Sequence, residues 1–207
     1  MIKFFIALFL LATISSAGEM GKKGGSCILS QDGDVSVSWK AYKTPAKAGV
    51  GGMFDSVKYT AVAPKGNNFR EILVGSSVVI DTSSVNSKNS GRDVKLVKFF
   101  FEKMSTKNIT AKIVDIKSDK RMHGKPKTGV MSVSVTMNGV TKNVPMKYSF
   151  NKGDLSATGN IDLIDFSASK ALSSINEACF DLHQGKTWSD VTIGFKTNIK
   201  FELCNTI

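Results

Sequence analysis

Residues 131–150 read MSVSVTMNGVTKNVPMKYSF, and this stretch decides the fold class. Apolar side chains occupy every second position over 131–137, before Asn138-Gly139, and again over 144–150, after it, with serine, threonine, proline or lysine between them. A period of two is the repeat of a β-strand with one buried face. Because Asn-Gly readily adopts the left-handed backbone of a tight turn, the stretch predicts a β-hairpin.

Alternation of the same kind recurs along the chain. It is present in residues 35–39, 76–80, 161–163 and 191–201, and residues 151–154 carry another turn signal. Many short strands separated by turns favour an all-β sandwich or barrel with antiparallel strands.

Two segments break this period. In residues 93–104 and 167–183 the apolar side chains recur at helical spacing instead. Ser167 is available as an N-cap of the second segment and Gly185 as its stop. We expect two short helices that lie across the sheet or over an end of a barrel.

The N-terminus indicates export. Residues 1–17 combine Lys3, an apolar run at 4–14 and a small-residue end, which together are the features of a secretory signal peptide. The run is shorter than the ~20 residues that a membrane-spanning helix needs. We therefore predict a signal peptide at 1–17, a flexible mature start at 18–26 and one soluble domain at 27–207.

The charge of the chain raises an alternative function. The formal net charge is +11, from 28 Lys plus Arg against 17 Asp plus Glu, as in many proteins that bind nucleic acid or membrane surfaces. The lysines are however scattered singly at alternate strand positions, as on a solvated outer face: Lys112, Lys142, Lys147, Lys196 and Lys200. We expect no nucleic-acid partner and only transient contact with a membrane surface.

Two residues give limited support for catalysis. Cys179 and His183 are four positions apart on the second predicted helix, so they share a face and suit half of a metal site. The sequence has no second Cys/His pair, and no Gly-x-Ser-x-Gly elbow accompanies Ser189-Asp190 near His183. We therefore predict neither a catalytic nor a metal site, and a lipid-processing enzyme that uses Cys179 or His183 stays an alternative.

Three cysteines allow one disulfide and leave one residue over. If the first and last strands are antiparallel neighbours, Cys27 and Cys204 come to the same rim, while Cys179 lies far from Cys204 along the last strand. We predict a disulfide between Cys27 and Cys204. A bridge from Cys27 to Cys179 remains open, because the first strand could fold as a hairpin at Asp32-Gly33.

Several stretches together resemble the YceI family of periplasmic lipocalin-like proteins, which bind polyisoprenoid and related lipids. The resemblance covers nearly the whole mature chain and rests on residues 35–39, 51–54, 80–85 with 91–93, 138–142 and 161–166. Common members carry a histidine soon after the first strand, where this chain reads YKTPAK at 42–47, and the helical connection at 167–185 is longer here. The chain therefore resembles a distinct branch, whose ligand need not be the one bound elsewhere in the family.

The resemblance implies an eight-stranded antiparallel lipocalin-like barrel with an elongated cavity and one or two short helices near its ends. The residues alone do not decide between an open cavity and a filled core, and the resemblance favours the cavity. It implies a periplasmic carrier of an isoprenoid, quinone-like or fatty-acid-type lipid, without catalysis or a cofactor. We expect a monomer or homodimer, and a basic module that docks on a membrane or partner remains a further alternative.

The predicted cavity lining consists of inward-facing apolar and aromatic side chains. These are Val37, Trp39, Phe54, Val78, Ile80, Leu96, Phe100, Ile113, Met131, Val133, Val135, Met146, Tyr148, Phe150, Ile161, Leu163, Phe166, Ile193 and Phe195. Arg92, Lys95 and Tyr42 are the candidates for binding the carbonyl, quinone oxygen or phosphate of a head group, and Arg92 is preferred because its fork suits paired oxygens. Capping or bracing of the following helix from outside is the alternative role for Arg92.

Overall fold

The structure is a computed structural model that describes residues 27–202. The predicted signal peptide at 1–17, the glycine-rich segment at 18–26 and Cys204 lie outside the described residues. The strands are β1 (Ile28–Lys43), β2 (Ala48–Phe54), β3 (Val57–Thr60), β4 (Ser77–Asp81), β5 (Val85–Asn86), β6 (Asn108–Ser118), β7 (Lys127–Met137), β8 (Val140–Asn151), β9 (Asp154–Asp162) and β10 (Thr187–Glu202). The α-helices are α1 (Phe69–Leu73), α2 (Ser90–Phe99), α3 (Ser169–Ala178) and α4 (Phe180–His183), and short 3₁₀ helices span Thr82–Ser84, Phe101–Lys103 and Leu163–Phe166.

The strands form one antiparallel sheet in the order β3-β4-β6-β7-β8-β9-β10-β1-β2-β5. The predicted all-β antiparallel fold is confirmed, but the predicted eight strands and one or two helices are wrong, since the described residues form ten strands and four short α-helices. The surplus strands include β3, with four residues, and β5, with two. Segments that short are below the length at which a period of two can be recognised.

The sheet curls into a half-barrel, and side chains from the two edges of the sheet contact each other. Val78 and Ile80 from β4, near one end of the strand order, pack in one buried cluster with Val35, Phe54 and Val85 from the other end. No hydrogen-bonded ladder joins β3 to β5 in the described part of the chain. Apolar contact therefore completes the wall where backbone pairing stops.

The hairpin predicted at Asn138-Gly139 is confirmed. Met137 pairs with Val140, and the two residues between them have φ values of +52° and +77°, as a two-residue turn in a right-twisted hairpin requires. The Asn138 amide also donates hydrogen bonds of 3.0 Å to the backbone carbonyls of Phe166 and Ser167. The turn is thereby tied to the chain that leads into α3.

One end of the half-barrel is closed by α1. Phe69 packs edge-on against Phe150 and Tyr148, with ring centroids 5.0 and 6.2 Å away, and Ile72 and Leu73 are fully buried. This helix was not predicted, because five residues are too few to show a helical period. The core at this end is filled by aromatic side chains.

The other end is covered by α2, α3 and α4. The first helix was predicted over residues 93–104, but α2 begins at Ser90, ends at Phe99 and is followed by a separate 3₁₀ turn. It begins earlier because Asn89 caps it, accepting a hydrogen bond from the Arg92 backbone N–H at 2.9 Å.

The second predicted helix is two helices. The helical conformation is interrupted at Cys179, between α3 and α4. Ser167 does not cap α3, because it has a left-handed backbone with φ of +54° at the end of the preceding 3₁₀ helix, and Ala168 takes the N-cap position. Gly185, with φ of +74°, ends α4 as predicted, its N–H donating to the Phe180 carbonyl at 2.9 Å.

The ends of β1 and β10 bear on the cysteine pairing. Ile28 pairs with Glu202, and β1 passes Gly33 as an irregularity in one continuous strand rather than folding as a hairpin there. Cys179 is free and buried, so the alternative bridge between Cys27 and Cys179 is wrong. The bridge from Cys27 to Cys204 stays a prediction, since Cys204 lies outside the described residues.

The outer face is polar, as predicted. Lys112, Lys142, Lys147, Lys196 and Lys200 are all exposed on the strands. Within residues 27–202, no helix has the length and apolar character needed to cross a bilayer.

Candidate functional site

A cavity of about 490 Å³ lies at the end of the half-barrel that α2, α3 and α4 cover. This volume falls within the range of about 300–1,000 Å³ that is typical of small-molecule sites. Its apolar walls come from the strand ends and the helices: Trp39, Ala41, Val50, Phe54, Leu96, Phe100, Phe101, Ile109, Met137, Ile161, Leu163, Leu172, Ile175, Cys179, Leu182, Val191 and Ile193.

A second cavity of about 100 Å³ is lined by β1, β3, β4 and β6–β10. Four side chains line both cavities, namely Ile109, Met137, Ile161 and Ile193. The two spaces are therefore neighbours, and together they form an apolar interior that extends from the helix-covered end into the sheet.

Most of the predicted lining residues face these cavities. Val37, Val78, Ile80, Ile113, Met131, Val133, Val135, Met146 and Phe195 line the smaller one. Trp39, Phe54, Leu96, Phe100 and Leu163 line the larger one, and Ile161 and Ile193 line both.

Three predicted lining residues lie elsewhere. Tyr148 and Phe150 face inward but pack on Phe69 at the end closed by α1. Phe166 is 1% exposed in the core cluster that also holds Ala168 and Ala171. Alternation indicates which face of a strand is buried, but not whether the buried face meets a cavity or a packed plug.

The lining residues of α3 and α4 were missing from the prediction. Leu172 and Ile175 of α3 and Leu182 of α4 line the larger cavity. The sequence held a signal for them, since Leu172, Ile175 and Leu182 belong to the apolar face at helical spacing that predicted the helix.

Two buried polar atoms next to the cavities have no hydrogen-bond partner among the described residues. One is Nε1 of Trp39, on the wall of the larger cavity, and the other is the hydroxyl of Tyr59, on the wall of the smaller one. The Tyr59 hydroxyl approaches Ser76 without reaching good hydrogen-bond geometry, and burial raises its pKa. Each unpaired donor carries a desolvation cost that a ligand oxygen would relieve.

The mouth of the larger cavity is polar, and all three predicted head-group candidates line it. Arg92 lies in the first turn of α2, Lys95 lies further along the same helix, and Tyr42 lies near the end of β1. The Tyr42 hydroxyl contacts Thr192 Oγ1 at 3.0 Å, and Thr192 donates its proton to Asn160 at 2.8 Å. The Tyr42 hydroxyl is therefore the donor in its contact with Thr192, and its proton is already used in a hydrogen bond within the protein.

His183 lines the mouth through a fixed hydrogen-bond chain. Thr187 Oγ1 donates to Asn176 Oδ1 at 2.8 Å, so His183 Nδ1, 2.6 Å from Thr187, must be the donor of that contact. Burial lowers the pKa of His183, and the charges of Lys43 and Lys95 lower it further. The neutral ring thus keeps its proton on Nδ1 and leaves Nε2 as an acceptor.

The residues proposed for catalysis are not assembled. Ser189 donates to Asp162 at 3.1 Å and Asp190 pairs with Lys47 at 2.8 Å, so neither is hydrogen-bonded to His183. Cys179 lines the larger cavity, and its backbone carbonyl accepts a hydrogen bond from the His183 N–H at 2.8 Å. Among the described residues, no hydrogen bond joins its thiol to the His183 ring, which contacts Thr187 instead. Nor do residues 27–202 contain a group of three or more His, Cys, Asp or Glu positioned to hold a metal ion.

The model of the YceI-like domain matches residues 30–203, which is most of the chain. The protein belongs to the YceI-like family. This confirms the resemblance that five sequence stretches predicted. No curated protein sequence matches the chain.

Several solved structures share the fold at low sequence identity. A polyisoprenoid binding domain from Saccharophagus degradans, implicated in plant cell wall breakdown, is 14% identical with a TM-score of 0.55, over 84% of this chain and 97% of that one. BcnA of Burkholderia cenocepacia is 15% identical with a TM-score of 0.51, over 82% and 99%. The YCEI protein of Campylobacter jejuni is 19% identical with a TM-score of 0.52, over 75% and 86%.

Proposed function

We propose that this YceI-like protein is a periplasmic binding protein that carries a lipid with its hydrocarbon chain inside the half-barrel and its polar end at the helix-covered mouth. The observation that carries the proposal is the pair of neighbouring cavities with apolar walls and a polar mouth. Such a space suits an elongated molecule that is apolar along most of its length. The role needs neither a catalytic group nor a cofactor.

The energetics suit capture of a chain without a specific polar site. Burying about ten methylenes at ~0.8 kcal/mol each gives roughly 8 kcal/mol before the costs of ordering the chain and of association. Met131 and Met146 line the smaller cavity and Met137 lines both. Their flexible, polarisable side chains allow the wall to adapt to an irregular chain.

Among apolar chains, an isoprenoid is our first choice. One protein of the same fold is described as a polyisoprenoid binding domain. Quinone-like molecules and fatty-acid derivatives offer chains of the same chemistry and are the alternatives. The periplasmic location rests on the signal-peptide features of residues 1–17.

The rim of the mouth favours a second property, transient contact with a membrane surface. Phe180 and Leu182 of α4 are 59% and 62% exposed, and Leu182 also lines the cavity. The Lys186 and Lys47 ammonium groups lie 4.7 and 4.8 Å from the ring centroid of Trp188. Exposed apolar side chains next to cations suit an anionic bilayer, from which a lipid would enter the mouth.

Lipid capture is tested with purified protein that has first been stripped of lipid. The protein is incubated with geranylgeraniol, separated by gel filtration, and analysed for bound lipid by mass spectrometry. The matched variants are Leu172→Trp, which fills the larger cavity from α3, and Ser173→Trp, which adds the same side chain at an exposed position of α3.

We expect about one lipid for each wild-type or Ser173→Trp chain and a clear loss for Leu172→Trp. The proposal is overturned if the wild type retains no lipid, or if Leu172→Trp retains as much as the wild type. Circular dichroism of both variants checks that each has kept the fold.

A further inference from the structure

Three cationic side chains line the mouth of the larger cavity: Lys43 at the end of β1, and Arg92 and Lys95 on α2. All three are partly buried, unlike the exposed lysines of the outer strand face. The described residues that line this cavity include no Asp or Glu. The mouth therefore concentrates positive charge.

None of these three side chains forms a salt bridge with a described carboxylate. The nearest acidic residue in sequence, Asp93, accepts hydrogen bonds from the backbone N–H and the hydroxyl of Ser87 instead. Partly buried cations without counter-ions repel one another and lose part of their hydration. A bound anion would offset the repulsion.

Other groups at the mouth also favour a bound anion. Asn89 and Gly91, at the start of α2, line the cavity, so the positive end of the helix dipole faces it. His183 lines the same cavity, and burial together with the charges of Lys43 and Lys95 lowers its pKa. Arg92 adds a planar fork that fits the paired oxygens of a carboxylate or phosphate.

We propose that Lys43, Arg92 and Lys95 form an anion site at the cavity mouth, so that the protein selects lipids whose head group is a carboxylate or a phosphate. This inference rests on the proposed lipid-binding function and specifies its ligand class. The chain occupies the apolar interior, and the head group neutralises the three cations. A neutral lipid would also bury its hydrocarbon chain in the interior, but it would leave the three cations without a counter-ion.

The test compares ligands that share one chain and differ in the head group: palmitate, hexadecyl phosphate and hexadecanol. Both tryptophans of the protein, Trp39 and Trp188, line the cavity, so their fluorescence reports its occupancy. The variants are Arg92→Gln and Lys95→Gln, and the control is Lys98→Gln, an exposed position on α2 outside the lining. Ligands are kept below their aggregation concentrations, at low and at high ionic strength.

We expect at least one of the anions to bind about tenfold or more tightly than the alcohol at low salt, the strength of one charge-assisted hydrogen bond or more. Arg92→Gln and Lys95→Gln should each reduce this preference about tenfold and keep the affinity for hexadecanol, which also shows that they fold. Lys98→Gln should behave as the wild type. The relative affinities of palmitate and hexadecyl phosphate identify the natural oxygen donor.

The anion site is refuted if the alcohol binds as tightly as both anions, or if neither cavity variant changes the preference. In those cases capture of the lipid's hydrocarbon chain still stands, and the proposed function stands with it. If none of the three ligands binds, the proposed function fails and the anion site fails with it.

Discussion

Replacing Ala111 with leucine should stabilise the ligand-free protein and weaken binding of long lipids. Ala111 lies on β6 and lines the smaller cavity of about 100 Å³. Since an apolar cavity costs about 24 cal/mol per Å³, this one costs the empty protein about 2 kcal/mol. Leucine adds three carbon atoms, and after the loss of its rotamer freedom we expect a gain of about 1–2 kcal/mol, or about 4 °C in Tm.

The same three carbons remove space for the far end of the ligand. At ~0.8 kcal/mol per methylene, a chain that reaches the smaller cavity loses about 2 kcal/mol, which is a factor of about 30 in Kd. A chain short enough to stay in the larger cavity keeps its affinity. Ala111→Leu therefore shortens the preferred chain length while it raises stability.

The assay combines urea denaturation of lipid-free protein with a titration of fatty acids of increasing length, followed by tryptophan fluorescence. Thr110→Leu is the matched control, because Thr110 is exposed on the same strand. The reasoning is refuted if Ala111→Leu lowers the stability of the empty protein and leaves the affinity for the longest chain unchanged. It is supported if stability and chain-length preference change together in this variant alone.

Three other predictions concern the barrel rim and the mouth. Peptide mapping of the oxidised protein should find Cys27 linked to Cys204, and replacing Cys204 with serine should lower the free energy of unfolding by about 2–5 kcal/mol; a map with Cys27 unlinked would contradict this pairing. Because the pKa of folded His183 lies below its ordinary value of 6.5, the unfolded chain binds more protons, so stability should decline as the pH falls from about 6.5 to the folded pKa. His183→Gln should flatten that part of the pH dependence of Tm, and an unchanged slope would assign it to other groups. Replacing Phe180, which is exposed and lies outside the cavity lining, with serine should slow lipid uptake from anionic vesicles several-fold at unchanged equilibrium affinity, whereas an unchanged rate would rule out this part of the rim as a membrane contact.

The sequence predicted best those features that are encoded locally. The hairpin at Asn138-Gly139 depends on two adjacent residues that accept a left-handed backbone, and the strands on both sides depend on their own alternation. The strands missed at Val57–Thr60 and Val85–Asn86 have too few residues to alternate visibly. They are strands because longer neighbours offer them partners, which is a property of the assembled sheet.

The cavity was predictable in part for a related reason. A period of two indicated the inner face of each strand, and sixteen of the nineteen proposed lining residues do face a cavity. It gave no information about depth along the barrel. Tyr148 and Phe150 were assigned to the lining because nothing local reveals that Phe69, about eighty residues away from either, fills their end of the interior.

The charge at the mouth was the least predictable feature. In the sequence Lys43 stands at the end of an alternating strand that also carries Lys40, and nothing local distinguishes it from a lysine on the solvated face. Its position at the mouth depends on where β1 ends relative to α2, and on the irregular pairing between Ala41 and Lys43 against β10. Arg92 was identified for its side-chain chemistry, while its clustering with Lys43 and Lys95 needed the folded chain.

Native mass spectrometry of the protein purified from its own host tests lipid carriage most directly. We predict a mature chain that begins at Gly18 and carries one non-covalently bound lipid, which collisional activation releases as an anion with a long hydrocarbon chain. A protein that shows only the mass of the bare polypeptide under conditions that preserve non-covalent complexes would contradict lipid carriage.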